Sequence, residues 1–190
     1  PIFDVHGDDI IKDADSIVIE IVIDREIVKK TFHYAEKYKK KVYAIVSNMT
    51  IAIERRDFIR RTECFVCNQQ EAGILFSEDY EEMSAEELSK VLSERIQSAK
   101  IPKMVVTMGG EGAVYADQNG ESGVYPALKV DVVDTTGAGD AFFSGVCIGL
   151  TYGKTLREAC EIGTRLASTV ICTSENICPR FMPEEFGITR

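Results

Sequence analysis

No apolar run in this chain of 190 residues approaches the ~20 needed to cross a bilayer, which excludes a membrane-spanning helix. The opening stretch, Pro1 to Asp9, is acidic and has no apolar core of the signal-peptide kind, so a cytoplasmic protein is expected. Positive charge is in deficit: 22 lysines and arginines stand against 31 aspartates and glutamates, a formal net charge of −9. A nucleic-acid backbone is therefore an unfavourable partner. A nucleotide is not excluded, because a metal ion or a helix terminus can offset phosphate charge locally. Histidine is scarce too, and His6 and His33 lie far from the Cys64-x-x-Cys67 pair. Cys147, Cys160, Cys172 and Cys178 form no second pair of matching spacing. A zinc site needs about four converging ligands, so the six cysteines read as reduced, mostly buried thiols. The chain shows no internal repeat and no low-complexity linker. With 45% hydrophobic residues it reads as one globular domain over 1–190.

What is present is an alternation of strand-like and helix-like segments. Ser16 to Ile23 is apolar apart from Glu20, as in a strand buried on both faces. Residues 25–40 have helical spacing with lysine-rich ends, and Lys41 to Val46 reads as a second strand. Residues 51–61 read as a short basic helix carrying Arg55, Arg56, Arg60 and Arg61, a solvated face or a contact for an anionic partner. Glu63 to Cys67 is a third strand, with Asn68 just past its end. Ser84-x-x-Glu87 opens a helix to about Ala99 with a capping-box pattern. Lys103 to Met108 is a fourth strand, and Gly112 to Ala116 an outer one. Residues 118–123 form a turn cluster in which Asn119-Gly120 favours a tight hairpin. Thr155-x-x-Glu158 caps a last helix through Thr169 or beyond. Such alternation predicts a parallel sheet with helices on both faces. Asn68, Gly109 and Asp134 each follow a strand. The carboxyl ends of parallel strands form the ligand crevice, so chain order alone predicts one shared rim.

The most informative run is Asp134-Thr135-Thr136-Gly137-Ala138-Gly139-Asp140. A β-branched stretch turns through small residues into a helix, leaving backbone N–H groups unpaired at its start, as an anion site requires. No Gly-Lys-Ser/Thr follows, so it is not a P-loop. Phe142 stands where a dinucleotide fingerprint needs its third glycine. Asp140 puts a carboxylate among those N–H groups. Either it takes a proton from an attacking hydroxyl, or it only faces the helix dipole.

Asp134 to Asp140 with the following Ala-Phe-Phe-Ser-Gly resembles the C-terminal signature of the ribokinase-like (PfkB) carbohydrate kinases. Asn68-Gln69-Gln70-Glu71 resembles that family's Asn-x-x-Glu magnesium motif, and Thr107 to Gly112 its nucleotide-binding turn. The three occur in family order and the resemblance covers nearly the whole chain. It implies a three-layer α/β/α fold with a mainly parallel central sheet. It implies ATP-dependent phosphoryl transfer to a hydroxyl of a sugar or nucleoside. Gly137, Ala138 and Gly139 would offer N–H groups to the migrating phosphoryl group and Asp140 would be the general base. Asn68 and Glu71 would serve Mg2+, although the plainer reading makes them partners in a helix cap. Thr107, Gly109, Gly110 and Gly112 would lie along the nucleotide, or form a plain strand-turn-strand. Thr164 would flank the base or ribose, or be a helix-surface threonine. Asp134 and Thr136 would help hold K+, while Glu175-Asn176 departs from the family's pattern for the other half of that cation site. Glu20, and less so Asn48, would reach a substrate hydroxyl or only solvent.

Family members are longer by ~100 residues, and neither their N-terminal signature nor the small β-lid over the sugar is found here. The chain is therefore expected to be a C-terminal portion that keeps the transfer machinery. With its first strand at a sheet edge, it is expected to pair with a partner segment or form a homodimer. A non-catalytic nucleotide-binding fragment and a vitamin kinase of the same superfamily are the alternatives.

Overall fold

The computed structural model describes residues 2–21, 23–46, 48–174, 177–178 and 180–188. Six strands form one sheet in the order β1 (Ser16–Glu20), β2 (Lys41–Ile45), β3 (Cys64–Asn68), β4 (Lys103–Thr107), β5 (Ala113–Asp117), β6 (Ser122–Tyr125). The first four are mutually parallel; β5 and β6 run antiparallel to their neighbours. Period-two alternation divides β2 to β6 between two cores. Phe65, Met104, Val106, Val114 and Ala116 face one side with Val28, Phe32, Leu88, Leu92 and Ile96. These come from α2 (Arg25–Lys37) and α6 (Ala85–Ala99). Tyr43, Cys64, Val66, Val105 and Tyr115 face the other, under Phe142, Phe143, Val146, Leu150 and Leu156 of α7 (Ala138–Thr151) and α8 (Leu156–Ile171). The three layers expected from sequence are thus present.

Several elements differ from their sequence reading. The first strand stops at Glu20 rather than Ile23, and it is buried on one face only: Ile17 and Ile19 are covered while Val18 is 56% exposed. Its end is set by Arg55, whose guanidinium donates to the carbonyls of Ile21 (2.5 Å) and Ile23 (2.6 Å) and turns the chain off the sheet. Arg55 also divides the expected basic helix into Met49–Glu54 and Arg56–Ile59. The expected outer strand 112–116 is the interior β5, because β6 takes the edge. The Asn119-Gly120 hairpin forms as expected, with the Asp117 carboxylate accepting from the N–H groups of Asn119 (2.8 Å) and Glu121 (2.9 Å). A helix not anticipated from sequence, α1 (Ile2–Asp13), lies on α2. Asp4 pairs there with Lys30, and Asp8 with Lys37 at 2.8 Å.

Close approach of α7 and α8 is allowed by glycine. A Cβ on Gly145 would lie 2.6 Å from the Cα and N of Gly163, one on Gly149 2.8 Å from the Cα of Ala159, and one on Gly163 2.7 Å from the Phe142 carbonyl oxygen. The obstacles are backbone atoms, which cannot rotate away. Gly163→Ala is therefore expected to destabilise the fold by about 1–3 kcal/mol through overpacking, read from urea unfolding. An unchanged midpoint would contradict this packing.

Candidate active site

Asn68 is the last residue of β3 and the N-cap of α5 (Gln69–Phe76). Its Oδ1 accepts from the Glu71 N–H at 2.8 Å, and the Glu71 Oε2 accepts from the Asn68 N–H at 2.8 Å. This is the reciprocal capping box, so the plainer reading of Asn-x-x-Glu is realised. Glu71 is half-buried, and burial raises its pKa above the ordinary 4.5 against the lowering effect of the Asn68 N–H. The second carboxylate oxygen and the Asn68 amide nitrogen have no partner among the described residues.

Next to Asn68 across the sheet stands Thr107, its register partner at the end of β4. Its hydroxyl donates to the Cys67 carbonyl at 3.4 Å, which ties the two strand ends together. The chain then turns through Gly109–Glu111, closed by the Met108 N–H donating to the Gly112 carbonyl at 2.8 Å. Gly109 and Gly110 are exposed, and a Cβ on either would meet nothing within 4 Å. Gly112 has φ +103, and a Cβ there would lie 2.1 Å from the Tyr125 carbonyl oxygen. Glycine at 112 is thus demanded by the crossing chain; the open side of the turn is at 109–110.

The third loop precedes α7. Asp134 Oδ1 accepts from the N–H (2.9 Å) and the hydroxyl (2.8 Å) of Thr136, an Asx turn. Those bonds, the N–H first, hold the Asp134 carboxyl below its ordinary range. The Ile171 carbonyl accepts from the N–H groups of Val133 (2.7 Å) and Asp134 (3.4 Å), attaching the loop to the end of α8. Gly137 is the N-cap in the left-handed region, φ +81, where glycine carries no steric penalty. The Ala138 N–H is used within the turn, to the Thr135 carbonyl at 3.2 Å. The N–H groups of Gly137, Gly139 and Asp140 have no acceptor among the described residues. A Cβ on Gly139 would meet nothing within 4 Å, and Asp140 is exposed.

These loops share one rim. At the far end of α7 the Thr151 hydroxyl donates to Ser16 Oγ at 2.9 Å, beside the start of β1. The helix therefore runs back over the sheet against the direction of the parallel strands. Its 14 residues span ~21 Å, slightly more than a five-residue strand at ~17 Å. Its first turn, with Asp140, accordingly overlies the carboxyl ends where Asn68 and Thr107 stand. Glu20, half-buried at the end of β1, is on the same rim and, by alternation, on the α7 side of the sheet.

Other candidates fare differently. Thr164 is 6% exposed, so it is not the surface hydroxyl that helical spacing allowed. The Asn48 Oδ1 caps the next helix through the Ile51 N–H at 3.4 Å. Arg56, Arg60 and Arg61 are exposed, as a solvated face requires, and each guanidinium of the cluster is also engaged within the fold. Arg56 donates to the Leu75 carbonyl (2.7 Å), Arg60 to that of Ala99 (2.9 Å) and Arg61 to Glu36 (2.8 Å). Cys64 and Cys67 are free and buried, and burial pushes the Cys64 thiol up to about 12, which keeps it protonated. Glu175-Asn176 lies outside the described residues. Sequence reasoning overlooked Gly145 and Gly163, which seat α7; their i, i+4 pairing with Gly149 and Ala159 was the available signal.

The raised pKa of Glu71 gives a pH test. The folded chain holds this proton more tightly than the unfolded one, so the stability due to the group is full below pH 4.5 and declines as pH rises through the folded value. Glu71→Gln, which keeps an acceptor for the cap, is expected to lose that decline. Urea midpoints of both proteins from pH 4 to 7 check it, and parallel profiles would contradict it.

Comparison with known proteins agrees with this fold. The family model described as pfkB family carbohydrate kinase matches residues 4–180. Guanosine-inosine kinase of Exiguobacterium acetylicum is 32% identical over 164 residues, 86% of this chain and 53% of that protein. Among solved structures, a probable sugar kinase from Rhizobium etli CFN 42 superposes with a TM-score of 0.80 at 24% identity, over 96% of this chain and 57% of that one. Arabidopsis thaliana ribokinase, solved with ribose and ATP, gives 0.78 at 20% identity, over 90% and 54%. The chain spans about half the length of the guanosine-inosine kinase and of these two structures. Its ribokinase-like three-layer fold and its three rim loops, read with the match over nearly its full length, place the chain in the pfkB family of carbohydrate kinases.

Proposed function

We propose that the protein containing this chain transfers the γ-phosphoryl group of ATP to a hydroxyl of a sugar or nucleoside. The observation that carries this reading is the start of α7. Three N–H groups, of Gly137, Gly139 and Asp140, open beside an exposed carboxylate on the rim that also bears Asn68 and Thr107. Charge in phosphoryl transfer spreads over the phosphate oxygens. Preorganised N–H donors answer that charge, and in other enzymes loss of one costs ~3 kcal/mol. Asp140 accepts the proton of the attacking hydroxyl. The turn Thr107, Gly109, Gly110 and Gly112 borders the nucleotide with its open side at 109–110, and Thr164 borders the base or ribose by an edge at most.

Asn68 and Glu71 suit Mg2+ through hard oxygen donors. Among the described residues no three His, Cys, Asp or Glu side chains gather into a metal-binding group. Magnesium keeps several waters and shares phosphate oxygens. When bound, magnesium supplies neutralisation of charge on those oxygens. Asp134 and Thr136 are proposed to contribute to a K+ site behind the anion turn.

The chain's half-length match to its relatives favours one second reading, in which it binds nucleotide without catalysing transfer. Phosphorylation assayed with the full-length protein on a panel of sugars and nucleosides separates the two. In that protein Asp140→Asn is expected to lower kcat by ~10²- to 10⁴-fold, with ATP affinity retained in calorimetric titration. Near-normal turnover would remove Asp140 as the base.

β1 is an edge strand with Val18 uncovered, and such edges recruit further strands. The chain of 190 residues alone is accordingly expected to self-associate in light scattering. A monodisperse monomer would contradict that.

A further inference from the structure

The opposite, amino-terminal rim of the sheet carries a cleft of about 180 Å3 lined by Arg56, Ile59, Arg60, Leu75, Phe76, Ser77, Ala99 and Ile101. Arg60 lies four residues before β3 and Ile101 two before β4, whereas the candidate active site follows the other ends of those strands. From this cleft we infer a second ligand site, one that takes a small carboxylate with a ring-sized apolar body.

The cleft has two cations at i, i+4 and, in a chain of net charge −9, no carboxylate among its described lining residues. Each guanidinium is held by one hydrogen bond to a carbonyl of a helix's last turn or end, Arg56 to Leu75 of α5 and Arg60 to Ala99 of α6. A guanidinium has five N–H donors in a rigid fork. One donor each meets the roughly half-unit negative charge of a helix end, leaving the cleft net positive with most of its donors unspent. The carbonyl bonds also preorganise both forks, which lowers the entropic cost of capturing an anion. Ser77 adds a polar point to the wall, and the apolar part is formed by Phe76 with Ile59, Leu75 and Ile101, buried core residues that reach the cleft. The volume slightly exceeds the ~150 Å3 cavity that accepts benzene. Benzoate therefore matches in charge and size. Inorganic phosphate offers charge without a body, and benzamide a body without charge.

The test is an amide-resolved NMR titration of the full-length protein with these three probes. Saturable shifts are expected for benzoate, clustered at Arg56 to Arg60, Ser77 and Ile101, with affinity at least tenfold weaker for benzamide and for phosphate. Arg60→Gln is expected to weaken benzoate at least tenfold while the unperturbed spectrum elsewhere reports an intact fold. Arg61→Gln, whose guanidinium pairs with Glu36 outside the cleft, should leave benzoate binding unchanged. Equal response to benzamide, equal response to phosphate, shifts scattered over other surfaces, or an Arg61→Gln loss matching that of Arg60→Gln would each overturn the assignment. Failure here leaves the Asp140 assay untouched, since the two sites lie on opposite rims.

Discussion

The backbone contact between α7 and α8 governs the site. Where Gly145 meets Gly163 there is no room for a methyl group, so the helices touch main chain to main chain. That seats α7 against Tyr43, Cys64, Val66 and Val105. Its height and direction over the sheet decide where its first turn falls. The N–H groups of Gly137, Gly139 and Asp140, without acceptors among the described residues, therefore owe their position to a contact about two turns along the helix. The Ile171 carbonyl secures the preceding loop from the end of the other helix. Both ends of the anion turn are thus referred to α8, and the turn can remain open to solvent without being loose.

The rim loops use their polar groups twice. Asn68 and Glu71 complete a helix cap with one set of atoms and leave another without a partner among the described residues. Thr107 ties β4 to β3 through its hydroxyl while its backbone begins the glycine turn. Asp134 folds its own loop through Thr136. A candidate site assembled from structural hydrogen bonds is held in place before any ligand arrives, which is what preorganised electrostatic stabilisation requires.

Much of this was legible in the sequence, for reasons that can be named. Alternating strands and helices gave the parallel core because each apolar run is short and bounded by polar turns. The capping boxes at Ser84 and Thr155 marked helix starts correctly, since their reciprocal bonds are local. The rim motifs were legible because chain order alone puts loops after parallel strands on one side. What was missed depends on distant partners. α1 contains Gly7 and four aspartates, poor helix formers, and is stabilised by pairing with lysines on α2. The break at Arg55 follows from carbonyls more than 30 residues away. The arginine cluster is largely exposed, as read, but nothing local shows that helix ends from elsewhere would meet it. The burial of Thr164 likewise depends on packing around α8 that helical spacing alone does not reveal.

One link has a temporal meaning. The Thr151–Ser16 hydrogen bond joins residues 135 positions apart, and the helices that cover the second face of the sheet are the last long ones in the chain. During synthesis, β1 to β4 can pair as they emerge, while Tyr43, Val66 and Val105 still face water. A nascent sheet with one bare apolar side is the kind of species that chaperones retain and that aggregates when they do not. Closure of the α7–α8 hairpin therefore covers the apolar side that a partly formed sheet would leave open.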